Sequence, residues 1–216
     1  MAGLIHGLDP EAIRINLERI REQAGDGVEI LCASKYVPLE EMGALAEAGV
    51  TLVGENRQQD LEAKQERWGG DAFSWDFIGN LQSRKVPRLL GRVRLLHSVS
   101  SDSVLAKLEH NDAQGTGVLV QVNVAGEEGK GGVAPAELAE FIARCPIPVS
   151  GLSTMPPFTE DPEDSRPHFA RLAELAAEHG LERLSMGTTQ DWPIAVAEGA
   201  TIIRVGTALF LPPAAG

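Results

Sequence analysis

Residues 28–35 read V-E-I-L-C-A-S-K, a short apolar run that ends on Lys35. A run of this length, rich in β-branched and aliphatic residues, is typical of a strand buried on both faces of a parallel sheet. Pro38 then begins a predicted helix that continues to Glu47. Lys35 therefore lies in a predicted loop after the first strand, at the carboxyl end of the sheet, where barrels of parallel strands carry their chemistry.

Short apolar runs continue to alternate with helical patterns along the rest of the sequence. Seven further strands are predicted, at 51–53, 75–79, 95–98, 118–124, 148–152, 181–187 and 201–206. An additional helix, capped by Asp9 and begun by Pro10, precedes the first strand, and a helix from Asn80 is expected to bend or end at Pro87. This order predicts a (β/α)8 TIM barrel with an extra N-terminal helix, forming one domain over residues 1–216. A doubly wound open sheet is the alternative.

The amino-acid composition limits the kinds of partner that this protein is expected to bind. The 19 basic and 31 acidic residues give a net charge of -12, which opposes non-specific attraction to nucleic acid or to an anionic membrane surface. The start of the sequence has no basic segment followed by a long apolar stretch, so neither a signal peptide nor a membrane span is predicted. Cys32 and Cys145 lack zinc-type spacing, and the five histidines form no paired cluster. We therefore expect free thiols, a cytoplasmic protein and no metal.

Small and hydroxyl-bearing residues follow the last two predicted strands. S-M-G-T-T occupies 185–189, and R-V-G-T occupies 204–207. Neighbouring positions of this kind hold phosphate in many barrels, because glycine lets the backbone approach and hydroxyl and N–H groups can bind an anion without a lysine. Singly these residues are ordinary turn formers. Their joint placement after adjacent strands predicts a phosphate site.

Arg204 lies inside an apolar run, where an unpaired guanidinium would be costly. It is expected either to form a buried ion pair, with Glu29 or Asp76 for example, or to point into the mouth of the barrel toward a ligand atom. An amine at strand one, an arginine on strand eight and a phosphate site would together suit one compact aromatic aldehyde, pyridoxal 5'-phosphate. The alternative for Lys35 is a solvated lysine after a strand.

Seven motifs in order resemble the pyridoxal phosphate homeostasis protein family. They are A-S-K (33–35), G-E-N (54–56), F-I-G-N-L-Q-S-R-K (77–85), Q-V-N-V (121–124), G-L-S-T-M (151–155), L-S-M-G (184–187) and I-R-V-G-T-A-L-F (203–210). The resemblance implies a fold-type III barrel, similar to the N-terminal domain of alanine racemase, that binds the cofactor and buffers or delivers it. It also implies that Lys35 forms the aldimine, that Asn56 lies in the cofactor pocket and that Arg204 faces the pyridine nitrogen. The residues implied to hold the phosphate are Ser185, Gly187, Thr189, Gly206 and Thr207.

The sequence departs from the family pattern at a few positions. Asp76 stands where the family often has histidine, Ser153 where it often has methionine, and T-T at 188–189 where M-S is commoner. These changes bear on the detail of the pocket. Among the other lysines, Lys64 and Lys107 are predicted to be solvated on polar helix faces. Lys130, in a glycine-rich loop, is expected to be solvated or, alternatively, to act as a lid or as a second weak cofactor site.

A carrier is favoured over a catalyst, and no catalytic residue is assigned. Arginine can only donate, so at the ring nitrogen it would keep the pyridine unprotonated and weaken its electron-withdrawing power. Tyr36 is the only tyrosine, and no second domain is expected to supply the second acid or base of a racemase. We expect a monomer that holds the cofactor as a lysine aldimine and supplies pyridoxal phosphate-dependent apoenzymes. A fold-type III racemase or lyase is the alternative, and a Schiff-base aldolase-like barrel is a third possibility.

Overall fold

The strands close into a barrel. The computed structural model of the chain describes residues 3–211. Its strands are β1 (Glu29–Ala33), β2 (Leu52–Glu55), β3 (Ser74–Phe77), β4 (Leu95–Val99), β5 (Gly117–Gln121), β6 (Val149–Ser153), β7 (Arg183–Thr188) and β8 (Ile202–Val205). Each strand pairs in parallel with the next, and β8 pairs with β1. The predicted (β/α)8 barrel is confirmed, and the open-sheet alternative is wrong.

Helices follow the strands in the order that the barrel requires. They are α1 (Pro10–Ala24), α2 (Met42–Glu47), α3 (Gln58–Trp68), α4 (Val86–Leu89), α5 (Asp102–Glu109), α6 (Leu138–Ala143), α7 (Arg166–Glu178), α8 (Trp192–Ala197) and α9 (Thr207–Phe210). The extra helix α1 begins as predicted, with the Asp9 carboxylate accepting from the Glu11 N–H. The Asn16 amide of α1 donates to the carbonyls of Leu209 and Leu211, which ties this helix to the segment after β8.

The helix predicted from Asn80 begins later than expected. A 3-10 turn covers Ser83–Lys85, and α4 starts at Val86. Pro87 therefore lies in the first turn of α4, where its missing N–H leaves no hydrogen bond unmade, and the prediction that it bends or ends a helix is wrong. The end of the fifth strand also differs, because Val122 forms only an isolated bridge with Val133.

The interior of the barrel contains an apolar layer and a polar layer. Five buried apolar side chains pack together there: Leu31, Leu52, Leu95, Leu119 and Ile202. The larger apolar core lies between the strands and the helices. Buried polar side chains also project from β3, β4, β7 and β8, namely those of Asp76, His97, Ser185 and Arg204. The apolar layer thus supports a polar interior from which the site is built.

Residues 3–211 contain neither a helix suited to span a membrane nor a cluster suited to hold a metal ion. No helix in this part of the chain is both long and apolar enough to cross a membrane. Within the same residues, no three His, Cys, Asp or Glu side chains are grouped so that they could hold a metal ion. Residues 1–2 and 212–216 of the predicted domain lie outside the described part, and the assignment of one domain over 1–216 stays a prediction.

Candidate functional site

A cavity of about 540 Å³ opens at the carboxyl ends of the strands. Six of the eight predicted cofactor residues line it: Lys35, Asn56, Thr189, Arg204, Gly206 and Thr207. Met155 and Phe158, from the loop after β6, add apolar wall. Residues from β1, β2, β7 and β8 thus meet in one concave site, although the sequence separates the first of them from the last by most of its length.

Lys35 presents its amine at this cavity. It lies in a 3-10 turn, Ser34–Tyr36, that follows β1 directly. The side chain is exposed, and Nζ is 4.7 Å from the centre of the Tyr36 ring. Lys35 also borders an adjoining cavity of about 480 Å³ whose wall includes Arg57 and Asp60. A small aldehyde can therefore reach the amine.

Asn56 brings an unsatisfied acceptor to the same cavity. Its Oδ1 atom is buried and has no hydrogen-bond partner among the described residues. A buried polar atom left without a partner costs about 1–3 kcal/mol, so such atoms are uncommon unless a ligand or water meets them. The side chain is therefore suited to accept a hydrogen bond from a donor on a bound molecule.

The loops after β7 and β8 converge on Thr189. Its hydroxyl oxygen accepts from the Gly206 N–H at 3.1 Å and from the Ala208 N–H at 3.4 Å. A Cβ atom built on Gly206 would have the Ala33 carbonyl oxygen, at 3.6 Å, as its nearest neighbour. Packing therefore does not require glycine here, and the absent side chain leaves open space at this corner of the cavity, beside Thr189 and Thr207. An anion of phosphate size is suited to this corner.

Arg204 contributes a buried guanidinium group that forms no ion pair among the described residues. It donates to the Ser185 carbonyl at 2.6 Å, to the Ser185 hydroxyl at 2.5 Å, to the Thr154 carbonyl at 2.8 Å and to the Met155 sulfur at 3.0 Å. Burial lowers the pKa of Arg204 to about 10, so the group stays protonated at neutral pH.

The four contacts of Arg204 use the N–H groups of Nη1 and Nη2. No described residue accepts from Nε–H, which leaves one donor for a ligand. The predicted alternative, an ion pair with Glu29 or Asp76, is wrong because both carboxylates pair with Arg94 instead.

Comparison with known proteins places these residues in a family. The alanine racemase N-terminal domain family matches residues 8–212. A pyridoxal phosphate homeostasis protein of Aquifex aeolicus is 41% identical over 213 residues, covering 90% of this chain and 93% of the relative. The chain belongs to the pyridoxal phosphate homeostasis protein family. A relative of the same name from Pseudomonas aeruginosa is 35% identical and covers 89% of this chain and 90% of its own.

Solved structures of this family and its fold agree with that assignment. PipY of Synechococcus elongatus, solved with pyridoxal phosphate bound, is 31% identical with a TM-score of 0.79, covering 92% of this chain and 100% of its own. The alanine racemase of Corynebacterium glutamicum is 21% identical with a TM-score of 0.71, covering 100% of this chain and 65% of its own. The latter likeness shows the barrel fold alone.

Two of the residues that the family resemblance assigns to the phosphate do not line the cavity in this family member. The Ser185 side chain is fully buried, and its hydroxyl accepts from Arg204 and contacts His97. Gly187 has φ +85°, and a Cβ atom there would lie 2.6 Å from the Ala195 Cβ atom of α8. The contacts of Ser185 therefore join it to Arg204, and Gly187 allows β7 and α8 to pack closely.

Sequence reasoning missed the role of Lys64. The prediction that this lysine is solvated is wrong: its side chain is 6% exposed, and Nζ pairs with Glu55, whose side chain is 0% exposed. Lys64 also donates to the Ser34 carbonyl at 2.8 Å, and the Ser34 hydroxyl donates to Glu55 at 2.8 Å. This buried group holds the turn that carries Lys35. The missed signal is the spacing of Gln58, Leu61 and Lys64, which puts all three on the inner face of α3.

Lys130 is a partly exposed lysine with a local ion-pair partner in its glycine-rich loop. It forms an ion pair with Glu127 three residues earlier, and both side chains are about a third exposed. Neither residue lines the cavity that contains Lys35. Lys130 is therefore a suitable control lysine for Lys35.

The two cysteines should differ sharply in reactivity. Burial raises the pKa of Cys32 to about 12, whereas Cys145 is half-buried, with a pKa raised by the same cause. At pH 8 a thiol-disulfide reagent should label Cys145 first, because a thiol with a pKa of about 12 is thiolate in only about one molecule in ten thousand. Counting modified thiols in the native and urea-unfolded protein, with Cys145→Ser as control, checks this. Rapid labelling of Cys32 in the native protein would contradict the described packing.

Proposed function

We propose that this protein binds pyridoxal 5'-phosphate in the 540 Å³ cavity, attaches it to Lys35, and serves the intracellular homeostasis and delivery of the cofactor. The observation that carries the proposal is the meeting of three features in one cavity: an accessible amine, an arginine without an ion pair among the described residues, and an anion corner formed by Thr189, Gly206 and Thr207. Free cysteines are typical of a reducing compartment, so a cytoplasmic location is part of the proposal. So is action as a monomer that supplies apoenzymes.

The residues present fit the chemical groups of this cofactor. The Lys35 amine and the aldehyde would lose one water molecule to form a C=N bond. Thr189, Gly206 and Thr207 would hold the phosphate, with no lysine required. Asn56 Oδ1 would accept from the ring hydroxyl, which gives this orphaned atom a partner. Arg204 Nε–H would donate to the ring nitrogen.

The charge on Arg204 favours a carrier. A protonated guanidinium can only donate, so a ring nitrogen that accepts from it stays unprotonated and draws electrons less strongly. Removal of a proton from the α-carbon of an amino acid is then less favourable. The likeness to alanine racemase, with a TM-score of 0.71 at only 21% identity, supports a shared fold and gives no ground for a shared reaction.

The test is covalent capture of the cofactor at Lys35. Wild-type protein incubated with pyridoxal phosphate and then borohydride should gain one cofactor mass, and the modified peptide should contain Lys35. Lys35→Ala should lose this adduct, whereas Lys130→Ala should retain it, because Lys130 is engaged by Glu127 away from the cavity. An adduct of wild-type yield in Lys35→Ala would refute the assignment.

A further inference from the structure

A line of buried hydrogen bonds crosses the barrel interior beneath the cavity. Arg204 donates to the Ser185 hydroxyl at 2.5 Å, this hydroxyl lies 2.8 Å from His97 Nδ1, and His97 Nε2 lies 3.0 Å from Asp76 Oδ2. Ser185 and Asp76 are 0% exposed, and His97 is 3% exposed. We call Ser185, His97 and Asp76 the polar network. Its members come from β7, β4 and β3, three different strands.

The direction of these bonds follows from Arg204, which can only donate. The Ser185 oxygen accepts from the arginine, so its own proton is directed to His97 Nδ1. His97 then carries its proton on Nε2 and donates to Asp76. Burial lowers the pKa of His97, in keeping with a neutral ring that accepts on one side and donates on the other. From Arg204 Nη1 to Asp76, every donor along the line has an acceptor.

Asp76 is fixed at the far end of the polar network. Arg94 donates to both of its oxygens, at 3.1 and 2.9 Å, and the Leu95 N–H donates at 3.2 Å. Burial alone would raise the pKa of Asp76, but the hydrogen bonds from His97 and Arg94 hold it below its usual value. A permanent carboxylate thus lies at one end of the line, and the guanidinium of Arg204, without an ion pair of its own, lies at the other.

We propose that Ser185, His97 and Asp76 are positioning residues that hold Arg204 with its Nε–H toward the cavity, so that the site selects a ring carrying an unprotonated nitrogen. This inference rests on the proposed function, since it assumes that a pyridine-type ring occupies the cavity. It assigns Ser185 a role different from the phosphate contact that the family resemblance implies. The polar network orients the donor, and the phosphate is held elsewhere, by Thr189, Gly206 and Thr207.

The matched variants are Ser185→Ala and Ser153→Ala. Ser153 is also buried, and its hydroxyl donates to the His97 carbonyl, so its replacement removes one buried hydroxyl beside the polar network without breaking the line to Arg204. The probes are pyridoxal phosphate and its 1-deaza analogue, in which CH replaces the ring nitrogen. The measured quantity is the ratio of the two dissociation constants.

Wild-type protein and Ser153→Ala should prefer the nitrogen-containing ring by about tenfold, the size of one good hydrogen bond, and Ser185→Ala should bring the ratio close to one. If Ser185 instead binds the phosphate, both probes weaken together and the ratio is unchanged, which overturns the proposal. If Ser185→Ala binds both probes with the affinity of wild type, the proposal is overturned as well. Thermal unfolding of each variant monitors the fold.

A second readout needs no cofactor, so it separates the two proposals. Nuclear magnetic resonance of the cofactor-free protein should show solvent exchange of the Arg204 Nε–H at least about tenfold faster in Ser185→Ala than in wild type, with Ser153→Ala unchanged. Equal exchange rates in all three proteins would overturn the positioning role even if the cofactor binds. Faster exchange with no cofactor binding would instead support the positioning role and refute the proposed function.

Discussion

Lys64→Met is expected to destabilise the folded protein by about 3–5 kcal/mol, because it leaves the buried charge of Glu55 without its cation. Methionine keeps most of the length and apolar contact of the lysine stem, so the effect reports the lost amine rather than a cavity. The amine also donates to the Ser34 carbonyl, beside Lys35. We therefore expect slower capture of the cofactor as well as lower stability.

Urea unfolding followed by circular dichroism measures this loss. Lys107→Met is the matched control, since Lys107 lies on the exposed face of α5, and it should change stability by less than about 0.5 kcal/mol. The double variant Lys64→Met with Glu55→Gln removes both charges and should recover part of the loss. If Lys64→Met alone unfolds like wild type, the buried ion pair does not exist in solution.

The prediction of the barrel succeeds and the prediction for Lys64 fails for one reason: both infer burial from residue type. Eight strands could be predicted because runs such as L-L-H-S-V in β4 are buried on both faces and carry their signal in residue type. Lys64 carries the opposite signal, because lysine is almost never fully buried unless it is paired. Its partner Glu55 lies in another element, and sequence periodicity does not reveal such long-range pairing.

The S-M-G-T-T motif at 185–189 does not reveal from the sequence alone that the Ser185 side chain lies outside the cavity. The sequence predicts that the seventh strand ends at residue 187. This places the hydroxyl group of Ser185 close to the mouth of the barrel. In the structure β7 continues to Thr188, and period-two alternation directs Ser185 inward, below the cavity. Five of the predicted site residues come just after the ends of their strands: Lys35, Asn56, Thr189, Gly206 and Thr207. Arg204 projects from near the end of β8. These six could therefore be placed from the sequence with only the order of the strands.

Gly187→Ala is expected to lower the free energy of unfolding by about 2–4 kcal/mol, because two separate costs combine at this position. Its φ of +85° is a conformation that side chains other than glycine rarely adopt. A Cβ atom would also lie 2.6 Å from the Ala195 Cβ atom and 2.9 Å from the Trp192 Cα atom, so α8 must move away from β7.

Gly206→Ala supplies the opposite case for comparison. At Gly206 the nearest neighbour of an added Cβ atom is the Ala33 carbonyl oxygen at 3.6 Å, so alanine makes no close contact there and should cost less stability than alanine at Gly187 does. The added methyl group would instead stand in the anion corner and weaken binding of pyridoxal phosphate about tenfold or more. Denaturant unfolding and cofactor titration of both variants distinguish the two glycines. If Gly187→Ala keeps its stability and Gly206→Ala keeps its affinity, both assignments are wrong, because one rests on helix packing and the other on open space at the cavity.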